Sequence, residues 1–287
     1  MFEALSGKLG MERKQVIEDE DQFYNLRLLL GDKLRRIEEV ELVFVGTGTI
    51  GSGMAIALAG NGFRKFTFID GDKVSMRNIP LCDAFSLLDV GKYKVMVLKN
   101  YLERKYGKRV QIKAYPTYVD DIPLEELTSH DMLILGVDNE RTKLFVTYHR
   151  MRSNKPMAVL GFWGWEASFM LSIPGKTACY ACLFRPNSKN EVKKIRKARK
   201  CPKPEPNIPG AVIHGTVRRI VGLAANEIAK YFLGEGRIVQ YYHFNALSEE
   251  EDVHFLDSNY LRPDEKCPFC WQGDEIDAKE LKRTGIG

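Results

Sequence analysis

Short apolar runs alternate with longer mixed segments along most of the chain. The apolar runs suit strands that are buried on both faces of a parallel sheet, and we predict strands over residues 41–45, 66–69, 110–114, 132–135 and 157–160. Helices are predicted over 15–30, 50–61, 87–105 and 217–232, with a charged connector leading to Val40. This alternation predicts an α/β fold with a doubly wound, mainly parallel sheet, whose ligands bind at the carboxyl ends of the strands.

Composition narrows the class of protein. The chain has 287 residues, of which 44% are hydrophobic, enough for one large core or one core with a small appendage. Four of the six cysteines lie in two Cys-x-x-Cys pairs and leave only Cys82 and Cys201, which does not suit a secreted disulfide framework. The N-terminus has no apolar segment, so we expect no signal peptide and a cytoplasmic location. No apolar run approaches the roughly 20 residues of a membrane span, and a net charge of +5 is mild. We therefore expect neither a membrane nor a nucleic-acid partner.

A glycine-rich turn directly follows the first predicted strand and reads Gly46-Thr-Gly48-Thr-Ile-Gly51. In such a turn the first glycine permits the bend, the second lets N–H groups approach a phosphate, and the third allows close packing of helix on strand. Asp70 follows the second strand, where a carboxylate can accept hydrogen bonds from ribose hydroxyls. The pattern predicts a Rossmann-like nucleotide site, which by itself indicates NAD as readily as ATP.

Two Cys-x-x-Cys pairs lie far downstream of this turn. Four thiolates in two such pairs suit tetrahedral zinc, because each short turn presents two sulfurs to one ion. The alternative is a coincidence of small buried residues. The sequence predicts a structural zinc site formed by Cys179, Cys182, Cys267 and Cys270.

Further motifs narrow the choice of nucleotide enzyme. The segment Ile69-Asp70-Gly-Asp72-Lys-Val74-Ser75-x-x-Asn78 is followed by Gly91-x-x-Lys94-Val95, Gly136-Val-Asp138-Asn139, Lys155-Pro156 and Pro174-Gly175-x-x-x-Cys179-Tyr-x-Cys182. This ordered series resembles the ubiquitin-activating enzymes and their bacterial relatives, the adenylyltransferases of molybdopterin and thiamine biosynthesis. The resemblance implies that the chain adenylates a C-terminal carboxylate with Mg-ATP, giving an acyl-adenylate and pyrophosphate.

The resemblance also implies roles for individual residues. Asp70 would hold the ribose, Asn78 would help to position the phosphates, Lys94 would neutralise their developing charge, and Asp138 would hold magnesium. Asp72 belongs to the same nucleotide-binding segment. Transfer at phosphorus needs in-line placement and charge neutralisation rather than a protein nucleophile. The alternatives are a solvated helix lysine for Lys94 and a helix N-cap for Asp138.

Two positions depart from the family pattern. The family usually has Asn-x-x-Arg-Gln where this chain has Asn78-Ile-Pro-Leu81-Cys82, so the phosphate-binding arginine is missing and neighbouring Arg77 is a candidate substitute. Cys82 is expected to be a buried packing residue. In the N-terminal helix, Arg27 stands near the place of an arginine that reaches the partner subunit's ATP in relatives. Arg27 is equally consistent with a surface helix residue.

A polar, basic and proline-containing stretch spans residues 187–209 and contains Cys201. Many family members carry a cysteine on a mobile crossover loop, which takes the acyl group as a thioester or carries a persulfide. Neighbouring lysines and arginines would lower the pKa of the Cys201 thiol. The alternative is an incidental exposed cysteine.

The expected organisation is a single adenylation domain over residues 1–287. It comprises an N-terminal helical extension (1–40), a nucleotide-binding core (41–178) and a zinc-bound C-terminal half (179–287) with the crossover loop. The expected partner is a small ubiquitin-like or sulfur-carrier protein, with the chain as a homodimer. Two alternatives stay open: activation of a ribosomal peptide or small-molecule carboxylate for amide formation or cyclisation, and an inactive subunit of a heterodimer.

Overall fold

One eight-stranded sheet organises the chain. The computed structural model describes residues 22–184, 211–247, 254–257, 262–264 and 267–270. The strand order is β3-β2-β1-β4-β5-β6-β7-β8; β1 to β5 pair in parallel and β6 to β8 add antiparallel. The strands are β1 (Glu41–Val45), β2 (Lys65–Ile69), β3 (Gln111–Tyr115), β4 (Met132–Leu135), β5 (Met157–Trp163), β6 (Glu166–Ser172), β7 (Val239–Asn245) and β8 (His254–Asp257).

Eight α-helices lie in the described ranges. They are α1 (Tyr24–Leu30), α2 (Leu34–Glu38), α3 (Thr49–Gly60), α4 (Lys94–Tyr106), α5 (Leu124–Thr128), α6 (Glu140–Arg152), α7 (Tyr180–Leu183) and α8 (His214–Leu233). Short 3-10 helices span Gly31–Lys33, Met76–Leu81, Leu87–Asp89, Gly107–Arg109 and Val119–Asp121. None of the helices in these ranges combines the length and the hydrophobicity that a membrane crossing requires.

The two faces of the sheet bury two separate cores. Side chains alternate along a strand, so Leu42 and Phe44 of β1 join the core under α3, α4 and α8. Val43 and Val45 join the opposite core, which lies under α6 and includes Cys179 and Cys267. Burial on both faces explains the continuous apolar runs of the central strands. The predicted doubly wound, mainly parallel α/β sheet is confirmed.

Several element boundaries differ from the sequence prediction. The helix predicted over 87–105 begins only at Lys94, because Gly91 has φ of +88° and ends a 3-10 turn. The predicted connector before Val40 contains α2, whose buried Leu34 and Ile37 pack on the core. The helix predicted over 15–30 is described only from Tyr24. The strand predicted over 157–160 continues to Trp163, and strands β6 to β8 were not predicted.

Candidate functional site

Backbone contacts leave no room for side chains at two glycines of the turn after β1. Gly46 has φ of +88°, and its N–H donates to the carbonyl of Ile69 at the end of β2 (2.9 Å). A Cβ on Gly51 would lie 2.0 Å from the Gly46 carbonyl oxygen, and a Cβ on Gly46 would lie 2.9 Å from that of Gly136. The turns after β1 and β4 are therefore packed backbone against backbone, which glycine permits.

Gly48 faces open space instead. Apart from its chain neighbours and the backbone of its own helix, no described heavy atom lies within 4 Å of the position that its Cβ would take. Gly48 is the N-cap of α3 and offers no side-chain hydrogen bond to the first turn. The free N–H groups and the positive end of a 12-residue helix therefore point at this space. Such a helix start, lined by glycine, suits a phosphate group.

Asp70, at the carboxyl end of β2, ties this turn to the next one. Its Oδ2 accepts the backbone N–H (2.7 Å) and the hydroxyl (3.0 Å) of Thr47, and its Oδ1 accepts the N–H of Asp72 (2.8 Å). Burial raises the pKa of this carboxyl, and the charge of Lys94 and the two backbone donors offset that only in part. Oδ1 keeps a second lone pair, which can accept a hydrogen bond from a ligand hydroxyl.

Lys94 begins α4 and is fixed to Asp72 twice. Its Nζ lies 2.8 Å from Asp72 Oδ2, and its backbone N–H donates to the Asp72 carbonyl at 3.0 Å. The lysine is 9% exposed, which does not fit a solvated helix residue. Partial burial raises the pKa of Asp72, but the hydrogen bond and charge of Lys94 and the hydroxyl of Tyr118 lower it more, to below its ordinary range. The ion pair with Asp72 therefore holds the positive charge of Lys94 beside the glycine turn.

The 3-10 helix after Asp72, Met76–Leu81, carries Arg77 and Asn78, the candidates for binding phosphate. Asn78 Oδ1 accepts the N–H and the hydroxyl of Ser75, both at 2.9 Å, and so caps this helix. A contact from Asn78 to a ligand would therefore come from its NH₂ group. Arg77 is exposed, and its charge contributes to lowering the pKa of Asp72. Cys82 is buried, as predicted, at 3% exposure.

Asp138 lies in the turn after β4 and is exposed. The N-cap of α6 is Asn139, whose side chain accepts the N–H of Thr142 at 2.9 Å, so the alternative of an Asp138 cap is wrong. Strands β2, β1 and β4 are neighbours in the sheet, so the turns that carry Asp70, Gly48 and Asp138 meet at one edge. An exposed carboxylate at this edge supplies the oxygen ligand that Mg²⁺ prefers.

The four cysteines of the two pairs form one cluster. Their sulfurs lie 3.7 Å apart for Cys179 and Cys182, 3.6 Å for Cys179 and Cys267, and 3.4 Å for Cys182 and Cys270. Four zinc–sulfur bonds of about 2.3 Å in a tetrahedron place sulfurs about 3.8 Å apart. The described side chains thus fit one structural zinc ion, with four protein ligands and no open position.

A groove of about 220 Å³ lies along β5, β6 and β7. At one end stand Glu140 and Lys143 of α6, with Tyr180 donating its hydroxyl to Glu140 Oε2 at 2.6 Å. Trp163 lines the groove and is 65% exposed. Glu140 follows Asp138 by two positions, so the groove begins beside the edge that carries the glycine turn.

Arg27 and Cys201 are the remaining sequence candidates. Cys201 and the predicted crossover loop (187–209) lie outside the described residues. Arg27 is exposed on α1, whose Leu26 lies 3.6 Å from the Cβ position of Gly62, in the turn that leads into β2. Arg27 therefore lies toward the amino ends of the strands, away from the glycine turn of its own chain.

Tyr118 was missed by sequence reasoning. Its hydroxyl donates to Asp72 Oδ1 at 3.0 Å, and its ring lies 2.8 Å from the Cβ position of Gly71. The residue comes from the segment after β3, which the sequence marks by no motif. The ring covers the turn that holds Asp70 and Asp72.

Known proteins resemble this chain in sequence. A family model described as the ThiF family matches residues 21–269. The sulfur carrier protein adenylyltransferase of Thermus thermophilus is 27% identical over 260 residues, covering 86% of this chain and 87% of the relative. The ubiquitin-like modifier-activating enzyme 5 of Caenorhabditis elegans is 25% identical, with 85% of this chain and 58% of the relative covered. The chain covers only 35% of the maize adenylyltransferase and sulfurtransferase MOCS3-1.

Solved structures share the fold. Escherichia coli MccB with MccA-N7isoASN superposes with a TM-score of 0.71 at 21% identity, covering 94% of this chain and 80% of MccB. PaaA superposes with a TM-score of 0.65 at 16% identity, covering 90% of both chains.

Proposed function

This chain belongs to the ThiF family, and from that premise we propose that it is an ATP-dependent adenylyltransferase acting on the C-terminal carboxylate of a sulfur-carrier or ubiquitin-like protein. The observation that carries the proposal is the shared edge of β2, β1 and β4. There the open helix start at Gly48, the half-buried Asp70 and the tethered Lys94 lie together. The Thermus thermophilus relative, matched over most of both chains, supports the substrate class.

In the proposed reaction, one oxygen of the substrate carboxylate attacks the α-phosphorus of ATP. The new bond is carboxylate oxygen to phosphorus, and the bond from the α-phosphorus to the bridging oxygen breaks as pyrophosphate leaves. Asp70 accepts a ribose hydroxyl, the N–H groups at Gly48 hold phosphate oxygens, and Asn78, Arg77 and Asp72 complete the nucleotide site. Lys94 leaves Asp72 and neutralises charge on the phosphates.

Asp138 is the residue that we propose to hold Mg²⁺. When bound, the ion would neutralise phosphate charge and orient the leaving group. A structural zinc ion would bind all four cysteines of the cluster. It would thereby connect the segment at Cys267 to the core under α6. ATP, magnesium and zinc are therefore the proposed ligands.

We propose that the substrate's C-terminal tail lies in the groove along β5 to β7. The groove begins at Glu140 and Lys143, close in sequence to Asp138, so a tail entering past Trp163 would point its carboxylate at the nucleotide. The exposed Trp163 and the half-buried Tyr241 of the groove suit an extended peptide, because such side chains offer apolar area and hydrogen bonds together.

The proposed assembly is a homodimer. Arg27 lies toward the amino ends of the strands, so it can serve a nucleotide only across an interface with a second chain. The free cysteines of the described chain support a cytoplasmic protein. The single adenylation domain over 1–287, and thioester formation at Cys201 after adenylation, are further parts of this proposal.

Activation of a peptide carboxylate is the second candidate function. The fold shared with MccB, solved with MccA-derived ligands, favours this candidate. A small-molecule carboxylate would be used in the same way, for amide formation or cyclisation. An inactive heterodimer subunit is disfavoured by the intact Asp70, Lys94 and Asp138.

Substrate analysis separates these candidates. Purified chain, Mg-ATP and either a small protein ending in Gly-Gly or a short precursor peptide are incubated and examined by intact-mass spectrometry. The proposal expects an adenylated small protein and no product when its C-terminal carboxylate is amidated. Adenylation of the peptide alone would favour the second function. Absence of AMP transfer to any carboxylate would favour the inactive subunit.

A further inference from the structure

Arg218, in the second turn of α8, is held by two side chains. It forms an ion pair with Asp83, and its Nε donates to His214 Nε2 at 3.0 Å. The contacts use Nε and Nη2, whereas a guanidinium has five N–H donors. His214 Nδ1 is then the protonated nitrogen, and it is buried without an acceptor among the described residues. The arginine is oriented and keeps donors for another group.

The packing of α8 on α3 brings Arg218 to the phosphate end of the site. Val221, three residues after Arg218, lies 3.3 Å from the Cβ position of Gly53 near the start of α3. Further along, Asn61 after α3 donates to the carbonyl of Ala225 at 3.5 Å. The two helices therefore run in the same sense, and the start of α8 lies beside the start of α3.

A second contact gives the same position. Asp83, the partner of Arg218, follows Cys82, whose sulfur lies 3.9 Å from the hydroxyl of Thr49. Thr49 is the first residue of α3 and follows Gly48. Burial raises the pKa of the Cys82 thiol, and the positive charges of Lys94 and Arg218 both act to lower it. Both cations thus lie close to the helix start where a phosphate would bind.

We propose that Arg218 binds the phosphates of ATP and supplies the guanidinium that position 81, occupied by Leu81, does not. This inference rests on the proposed nucleotide site. Leu81 is apolar and packs against the core, while Arg218 reaches the same segment from α8 through Asp83. Asp83 and His214 orient the guanidinium, and planar paired donors match phosphate oxygens.

The test measures ATP affinity by calorimetry, without a carboxylate substrate. Arg218→Gln should weaken ATP binding about 10- to 100-fold, as expected for loss of one charge-assisted contact, with an unchanged unfolding temperature. Arg219→Gln is the matched control, since it removes the same charge from the next position, where the guanidinium lies 4.6 Å from the ring centre of Phe244. Equal affinity of Arg218→Gln and Arg219→Gln would overturn the proposal. A larger loss in Arg77→Gln than in Arg218→Gln would give the role to Arg77.

A rescue experiment separates a phosphate contact from a structural ion pair. Adding Leu81→Arg to Arg218→Gln should restore at least part of the ATP affinity, because it returns a guanidinium to the same space. Asp83→Asn should weaken ATP binding less than Arg218→Gln does. If the double variant folds with an unchanged unfolding temperature and stays as weak as Arg218→Gln, Arg218 acts only through its ion pair and the proposal is wrong. Failure of adenylation would leave this affinity measurement intact, so the two proposals can fail separately.

Discussion

The Nζ of Lys94 lies 2.8 Å from Oδ2 of Asp72. The same carboxylate accepts the hydroxyl of Tyr118 through Oδ1 at 3.0 Å, so the lysine is held by an anchored partner. Because the pKa of Asp72 is below its ordinary range, the pair persists to lower pH than a free aspartate would allow. Phosphate binding would exchange this carboxylate for phosphate oxygens on Lys94, a swap between two anions that needs no movement of α4.

Alanine substitutions at two glycines of the turn should have different effects, one on folding and the other on ATP binding. Gly51→Ala should reduce folded protein strongly, because the new Cβ would lie 2.0 Å from the Gly46 carbonyl oxygen. Gly48→Ala should keep the unfolding temperature, because no described atom lies near its Cβ position, yet it should weaken ATP binding at least tenfold by filling the phosphate space. Thermal unfolding and calorimetry measure both effects. Normal ATP affinity in Gly48→Ala would contradict the phosphate site.

ATP binding should weaken as pH falls through a window above the usual aspartate pKa of about 4. Burial raises the pKa of Asp70, so as pH falls the folded protein binds this proton at a higher pH than the unfolded chain does. Its contribution to stability is therefore present at low pH and lost as pH rises through the folded-state pKa. Nucleotide binding has the opposite sign, because a ribose hydroxyl bonds best to the ionised carboxylate. Asp70→Asn should bind ATP weakly with a flatter pH profile in calorimetry, and an unchanged profile would assign the titration to another group.

The cysteine cluster should contain one zinc ion per chain. Cys267→Ser should lose the metal and unfold at a lower temperature, because zinc joins segments 88 positions apart. Cys82→Ser is the matched control: it alters a buried thiol outside the cluster and should keep zinc. Elemental analysis and thermal unfolding provide the readouts. Wild-type protein without zinc, or Cys267→Ser with full zinc content, would remove the metal from the account.

Cys201 should matter only after the adenylate has formed. Cys201→Ala should still form adenylate but lose any reductant-sensitive covalent adduct with the substrate, since the two steps use different groups. Intact-mass analysis with and without reductant distinguishes them. If wild type releases product without showing such an adduct, Cys201 is a bystander and the adenylate passes directly to an external nucleophile.

The central strands could be predicted because strands buried on both faces of a sheet consist of continuous apolar runs. Strand β6 could not, since Glu166, Ser168 and Ser172 break the apolar run and one of its two partner strands is the distant β7. The start of α4 was misplaced because Gly91 and a 3-10 turn precede Lys94 within an otherwise helical composition.

The candidate site shows the same division. The glycine turn and the cysteine pairs are local patterns, so spacing was sufficient to predict them. The contact between Tyr118 and Asp72 crosses 46 positions, and that between Arg218 and Asp83 joins α8 to the turn after the 3-10 helix Met76–Leu81. Neither pairing follows from a motif, because each depends on how strands and helices pack.

The exchange of labelled pyrophosphate into ATP, in the presence of the carboxylate substrate, tests the central claim most directly. Wild type should catalyse exchange, Asp138→Ala should abolish it through loss of magnesium, and Lys94→Ala should reduce it on the order of 10²-fold or more. Lys92→Ala is the matched control, since Lys92 is 60% exposed and pairs with Asp89, and it should exchange like wild type. Full exchange by Asp138→Ala and Lys94→Ala would contradict the assignment of this edge of the sheet as an adenylation site.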